Sequence, residues 1–143
     1  MGFLAGEDIT AARLNRLQPK QYWAQASALL ETNQTAQDIP GVTVTFNTEM
    51  PNAVYTACLV ADFDWNAVDT TLSSARIKVD GGFPINLFAV GQMQVASDRG
   101  TNAQNYRGVL GSAGSHTITA VGTTVTNRIN VYSSLLVVVY EVV

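Results

Sequence analysis

Few residues in this chain could carry chemistry, and their spacing limits what that chemistry could be. Asp62-Phe63-Asp64-Trp65-Asn66 places acidic or amide side chains at alternate positions, as the opening of a calcium loop does. Position six of such a loop falls on Ala67, where glycine makes the sharp turn, and position twelve on Ser73, where a bidentate Glu closes the shell. The stretch therefore reads as a polar loop between strands, with Trp65 or Phe63 folded back onto the domain. His116 is the only histidine, which excludes a multi-histidine metal site within one subunit. An alternating strand through Gly114-Ser115-His116-Thr117-Ile118-Thr119 is expected to face it away from Ile118, exposed or hydrogen-bonded. Cys58, the only cysteine, cannot form an intrachain disulfide and reads as a small buried hydrophobe. No serine sits in a nucleophile elbow, so a triad has no members. Asp62, Asp64, Asp69, Asp80 and Asp98 could meet as a glycosidase pair, but spacing singles out no two of them. Gly81-Gly82 and Gly108-Val109-Leu110-Gly111 open no helix and read as turn glycines, not as phosphate loops. The expectation is a protein that is not an enzyme and has no catalytic residues, metal or cofactor.

The composition points the same way. With 143 residues, of which 47% are hydrophobic, the chain supports one domain with a sizeable core. Only 13% of residues are charged, against roughly 25% in ordinary soluble domains. Either neutral Thr, Asn, Gln and Ser cover the surface, or other chains do. A net charge of −3 with eight scattered cations argues against a nucleic-acid partner. The longest strongly apolar run, Leu135 to Tyr140, is far short of the roughly 20 residues that span a bilayer, so no membrane partner is expected. The first residues lack the basic and apolar regions of a secretion signal, which points to synthesis in a cytoplasm.

Three segments must position whatever these residues do. Residues 1–20 form an arm with a short helix: Thr10 or Asp8 caps it, Ile9, Leu14 and Leu17 fall near one face, and Pro19 stops it. A helix of about two turns is unstable alone, so it lies either on its own domain or on a partner. Residues 21–41 read as linker or first strand, with helix and strand both open. From residue 42 to 143 the period is two. Val42, Val44 and Phe46 alternate with Thr43, Thr45 and Asn47, bounded by Pro40-Gly41 and Pro51-Asn52. Residues 53–63, 74–80, 83–96 (bent at Gly91), 105–110 and 115–121 follow, with Asp80-Gly81-Gly82 as a hairpin turn. The terminal stretch 128–143 begins by alternating and becomes continuously apolar, a strand expected to be buried on both faces for much of its length. Seven strands from Val42, or eight if 24–31 pair, give a mainly β chain. The expected architecture is an antiparallel jelly-roll-like β-sandwich with a short N-terminal helical arm.

Phe3-Leu4-Ala5-Gly6-Glu7-Asp8-Ile9-Thr10-Ala11-Ala12-Arg13-Leu14-Asn15 resembles the opening of many bacteriophage tail and appendage proteins. Ala75 to Gly81, Tyr106-Arg107-Gly108 and Ser133 to Val138 resemble the β-sandwich heads of phage minor tail and head-decoration proteins, which are similar in pattern to tumour-necrosis-factor-like trimeric jelly rolls. The resemblance implies a homotrimeric virion component made in the host cytoplasm. It implies docking on the major capsid protein or another virion structural protein through Phe3, Leu4, Ile9, Arg13, Leu14, Arg16 and Leu17, and a three-fold interface at Tyr132, Leu136, Val138 and Tyr140. Residues 18–41 are too few for a coiled-coil or β-stalk, which favours a compact knob such as a capsid decoration or short head appendage. The alternative is a tail-tip, neck or tail-fibre protein that binds a host-surface glycan or receptor through an outer loop with Trp65, Asn66, Tyr106 and Arg107. A carbohydrate-acting enzyme on the same sandwich is the third reading.

Overall fold

Period-two alternation along nearly the whole chain demands sheets with one face buried, and a single buried face demands a second layer to cover it. The computed structural model describes residues 10–31, 33–65, 72–92, 99–125 and 127–141. A short helix, α1 (Ala11–Leu17), precedes nine strands: β1 (Lys20–Gln25), β2 (Asn33–Thr48), β3 (Ala53–Trp65), β4 (Ser73–Val79), β5 (Ala89–Gly91), β6 (Arg99–Leu110), β7 (Gly114–Thr124), β8 (Asn127–Ile129) and β9 (Ser134–Tyr140). One sheet runs β1-β9-β3-β6, with β8 also on β3; the other runs β2-β7-β4-β5. Every pairing is antiparallel. The pairs are nested: β4 with β5, β3 with β6, β2 with β7 and β1 with β9, successive pairs alternating between sheets. A chain doubled on itself in this way and rolled into two layers is a jelly roll. The fold class expected from the sequence is therefore the one observed.

The core lies between the two inner faces. Tyr55, Leu59, Phe63 and Trp65 of β3 and Leu135, Val137 and Val139 of β9 meet Val42, Val44 and Phe46 of β2, Ile77 of β4 and Ile118 of β7. Each large side chain so buried contributes about 1.5–3 kcal/mol of transfer free energy. Segment 21–41 holds β1 and the first half of β2, both integral to the sandwich.

Several expectations need correction. The terminal stretch is two strands, and β9 is buried on one face only, with Leu135, Val137 and Val139 inward and Leu136 and Tyr140 exposed. The break lies at residues 130–133, where side chains replace ladder bonds: Asp62 N–H donates to Ser133 Oγ at 2.9 Å, and Asn130 N–H donates to the Asp62 carbonyl at 2.8 Å. Those four residues oppose only Ala61 and Asp62 on β3, a bulge that keeps β8 and β9 on the same edge of that strand. Pro40-Gly41 does not bound a strand. β2 runs through it with a register shift, and Gly41, at φ +81°, lies against Ser27, whose N–H donates to Pro40 O at 2.9 Å. The strand expected over 83–96 shrinks to β5, because Phe83 and Phe88 turn back to bracket Arg76, with its Cζ 3.6 and 5.0 Å from their ring centroids; residues 93–98 lie outside the described residues.

Two polar clamps close one end of the sandwich, where the β2–β3 and β6–β7 corners meet and the Thr48 hydroxyl donates to Ser112 O. His116 faces inward with Ile118, because residues two apart on a strand share a face, and it is 3% exposed. Its Nδ1 lies 2.7 Å from Asp80 Oδ2 and its Nε2 lies 3.0 Å from Ser112 O, which joins the 80–82 turn to the β6–β7 corner. Burial acts to raise the Asp80 pKa, but hydrogen bonds from His116 and the Thr117 N–H, with the His116 charge, outweigh it and hold the carboxyl below its ordinary value. At the other clamp, Glu141 accepts from Lys20 Nζ at 2.8 Å and from the N–H groups of Glu49 and Met50 at 2.7 and 3.2 Å. Here too burial acts upward, and these bonds together with the Lys20 charge prevail, lowering the pKa.

Both carboxyls thus have folded pKa values below their unfolded ones, about 3.9 for Asp and 4.3 for Glu. Their stabilisation is complete above about pH 5 and is lost as pH falls through the lower folded values. The melting temperature should drop across that acid window. An Asp80→Asn/Glu141→Gln double variant should melt lower at pH 7 but lose less on acidification, as read by circular dichroism. A second expectation concerns Gly108, where a Cβ would meet the hydroxyl of fully buried Tyr55 at 2.5 Å. Gly108→Ala should cost about 1–3 kcal/mol in chemical denaturation, because the ring has nowhere to retreat.

Candidate functional site

A strand that is apolar in both phases but covered on one side only must present the other phase outward. β3 and β9 are such strands, and they lie side by side in the middle of their sheet. On its outer face four cross-strand rows line up: Gln25, Ser134, Val60 and Ala103; Trp23, Leu136, Cys58 and Asn105; Gln21, Val138, Thr56 and Arg107; and Tyr140, Val54 and Val109. Trp23 is 61% exposed, Val109 62%, Tyr140 43% and Leu136 39%. Shallow cavities of about 380 and 290 Å³ indent this face, the first lined by Val54, Thr56, Arg107 and Tyr140 and the second including Cys58, Asn105, Leu136 and Val138. Arg107 is the single charge in the four rows, and it has no partner among the described residues.

The opposite sheet is covered differently. Thr43 and Thr119 hydroxyls lie 3.1 Å apart and those of Thr45 and Thr117 3.3 Å, and Lys78 pairs with Asp38 at 2.6 Å. One outer face is thus hydroxylic and charged, an ordinary solvent surface, while the other is mostly aliphatic and aromatic, with Gln, Asn, Ser, Thr and one Arg among its rows. Roughly 500 Å² is spanned by four strands about 4.8 Å apart and four rows about 7 Å apart. Nine of the fifteen side chains in these rows are apolar, an apolar share of about 300 Å², the size of the largest patch that a typical monomer carries, and such patches are often interaction sites.

Beyond the first row, past Val60, the same face becomes ionic. Asp62, with a side chain only 2% exposed, accepts from Arg99 Nε at 3.1 and 3.0 Å and from Thr101 Oγ1 at 2.9 Å. Asp64 pairs with Arg128 at 3.2 Å, and the Arg99 guanidinium lies 4.4 Å from the Tyr132 ring centroid. The acidic alternation that resembled a calcium loop is therefore committed to arginines, and positions 66–71 of that loop lie outside the described residues. Among the described residues no three of His, Cys, Asp and Glu gather as metal ligands.

The residues singled out from the sequence scatter. Leu136, Val138 and Tyr140 share the apolar face, whereas Tyr132 sits in the 130–133 turn beside Arg99. Trp65 and Tyr106 cannot serve an outer loop site: Trp65 packs on Phe63 in the core at 1% exposure, and Tyr106, at 3%, donates to Leu87 O at 3.1 Å. Burial pushes the Tyr106 hydroxyl up to about 12. Arg107 is exposed, but on the sheet face, and Asn66 lies outside the described residues. On the arm, Thr10 caps α1 by accepting from the Arg13 N–H at 3.3 Å, and Arg16 approaches Glu49 at 3.6 Å. No residue of the helix is buried, and Leu14 and Leu17 are 49% and 40% exposed. Phe3, Leu4 and Ile9 lie outside the described residues. Cys58 is not core as expected; it is half-buried on the apolar face. The sequence reading missed Trp23, Val54 and Val109. The signal that could have found them is the double apolar phase of β3, since a two-layer sandwich covers only one.

No family model matches the chain, and no curated protein matches it in sequence. Solved structures do match in fold. Over 86% of its length the chain is similar to 13% of dimeric latent PorU from Porphyromonas gingivalis, with a TM-score of 0.52 at 8% identity. Over 86% it is also similar to 32% of a chain in the structure of infectious bursal disease virus, Gx strain, with a TM-score of 0.52 at 10% identity. The CBM36-1 domain of a multidomain xylanase from the hindgut metagenome of Trinervitermes trinervoides matches over 87% of this chain and 100% of its own length, with a TM-score of 0.44 at 13% identity. The chain thus spans under a third of the first two proteins it matches. At these identities the likeness is one of fold.

The ionic end of the face yields an ordering. Arg99→Ala orphans a buried carboxylate, whereas Asp62→Ala leaves an exposed guanidinium that water solvates. The first variant should lower the urea midpoint more than the second, and Arg128→Ala least of all, since its pair is partly solvated.

Proposed function

We propose that this protein is a structural component of a bacteriophage particle, a homotrimer that joins its copies through the apolar sheet face and docks on the capsid, as a decoration or short head appendage, through its N-terminal arm. The observation that carries the reading is the asymmetry of the molecule. One sheet faces solvent with threonines and charges, while the other leaves Trp23, Leu136, Tyr140 and Val109 uncovered, in a chain that is only 13% charged. Desolvating such a face against other copies explains how so few charges suffice for solubility. The arm supports the second half of the proposal. α1 is capped and meets the sandwich through Arg16 and Glu49, yet none of its residues is buried and Leu14 and Leu17 are held outward. A seven-residue helix gains stability only by lying against something, and a partner surface supplies that. Several arms per trimer then raise avidity without new contacts.

A second reading, a module for host-surface glycans, is favoured by Trp23 and Tyr140 beside Gln21, Asn105 and Arg107 on the same face. Val54, Val60, Leu136 and Val138 on its two middle strands suit an aliphatic partner better than a sugar. For a carbohydrate-acting enzyme, Asp62 and Asp64 are each held by an arginine and Asp80 by His116, and Asp69 and Asp98 lie outside the described residues.

Light scattering at micromolar concentration should give three times the 15.3 kDa of one chain; a mass of one chain would refute the oligomer. Leu14→Glu/Leu17→Glu should keep the fold and the oligomer but lose particle binding in cosedimentation with virions. Retained binding would sink the docking role of the arm. A glycan array bound by the oligomer through Trp23 would favour the second reading.

A further inference from the structure

The chain carries a second exposed apolar patch, unlike the first in shape. Phe83, Leu87 and Val90 are 45%, 46% and 48% exposed along the β5 edge of the opposite sheet. The loop that bears them is firmly held: Arg76 is sandwiched between Phe83 and Phe88, and the Tyr106 hydroxyl donates to Leu87 O. Residues 83–91 contain no charge. Backbone groups from Phe83 to Asn86 have no hydrogen-bond partner among the described residues. One patch is therefore a ridge with spare carbonyls. The other is an indented sheet face whose single charge, Arg107, has spare donors.

We infer that the self-association on which the proposed function rests is heterologous: the 83–90 ridge of one copy packs into the outer face of the β1-β9-β3-β6 sheet of the next. Two arguments select this over a face-to-face pairing. The first is charge. Face-to-face contact buries two Arg107 guanidiniums with no free carboxylate in either patch, whereas the ridge offers carbonyl oxygens to the guanidinium fork and brings no second cation. The second is area. Standard interfaces take about 800 Å² from each partner. One contact on a face of roughly 500 Å² falls short of that in either arrangement, but a closed head-to-tail ring gives every subunit two such contacts, whereas a face-to-face pair gives it one. Two different patches that fit one another, on one chain, are what a closed heterologous ring requires. An arginine flanked by a tyrosine and aliphatic side chains in an indented site is the usual setting of an interface hot spot.

The test uses two variants at exposed positions, each checked for folding by circular dichroism: Leu136→Glu on the face and Leu87→Glu on the ridge, with Val90→Glu as a second ridge variant. Light scattering of each alone should give the 15.3 kDa of one chain. An equimolar mixture of Leu136→Glu and Leu87→Glu at about millimolar concentration should give a 1:1 dimer, weaker than the wild-type ring because one contact holds it, since the intact ridge of the first still fits the intact face of the second. Arg107→Ala should weaken assembly about tenfold or more. If the ridge variants keep the wild-type mass, or the mixture stays monomeric, edge-to-face packing is overturned while self-association stands. A monomeric wild type overturns the oligomer itself, and so separates the two failures.

Discussion

The position of β3 constrains everything else in this molecule. It runs antiparallel to β6 along one edge and to β8 and then β9 along the other, and its inward row of Tyr55, Leu59, Phe63 and Trp65 forms the thickest part of the core. Rings of this size leave no room for other side chains nearby, so glycines sit where they press. Gly108 lies over Tyr55, and Gly91 against Phe63 and Trp65. With both its edges taken, β3 cannot be the place where copies join by adding a strand, and its outer row is left as a surface.

That outer row links the fold to its use. Antiparallel sandwiches usually alternate apolar inward and polar outward, as β2 and β7 do here with their threonine pairs. β3 and β9 do not, because Val54, Val60, Leu136 and Val138 continue the apolar pattern on the uncovered side. Their neighbours Trp23, Tyr140 and Arg107 belong to the residue types enriched at the centres of protein interfaces, and Lys, Glu and Asp, depleted there, are absent from the four rows. Charge returns only at the Asp62–Arg99 end, where each carboxylate is already satisfied within the chain.

The two end clamps serve a different purpose. His116 with Asp80, and Glu141 with Lys20 and the N–H groups of Glu49 and Met50, tie together corners far apart in sequence. Corners without regular ladders are where a sandwich frays first, and charge-assisted bonds to turn residues fix them at little cost in packing.

Local pattern by itself determined a great deal: alternation, because side chains two apart must share a face, set the mainly β class, the two antiparallel layers and most strand positions, and the cap and Pro19 bounded the short helix. It also held the sign of the unusual surface, in the double apolar phase of β3 and β9, though that pattern was legible only as burial. Which face stays open is decided by what covers it, and coverage is a property of the whole chain. The same holds for the site residues. Trp65 and Tyr106 look like loop aromatics in sequence and become core because the jelly roll brings Gly91 and Leu87 over them. Asp62 and Asp64 look like metal ligands and become ion pairs because β6 and β8 deliver Arg99 and Arg128 from 37 and 64 residues away. Local pattern reports periodicity and propensity. Pairings across such separations depend on how the nested strands roll together, and only the tertiary structure decides that.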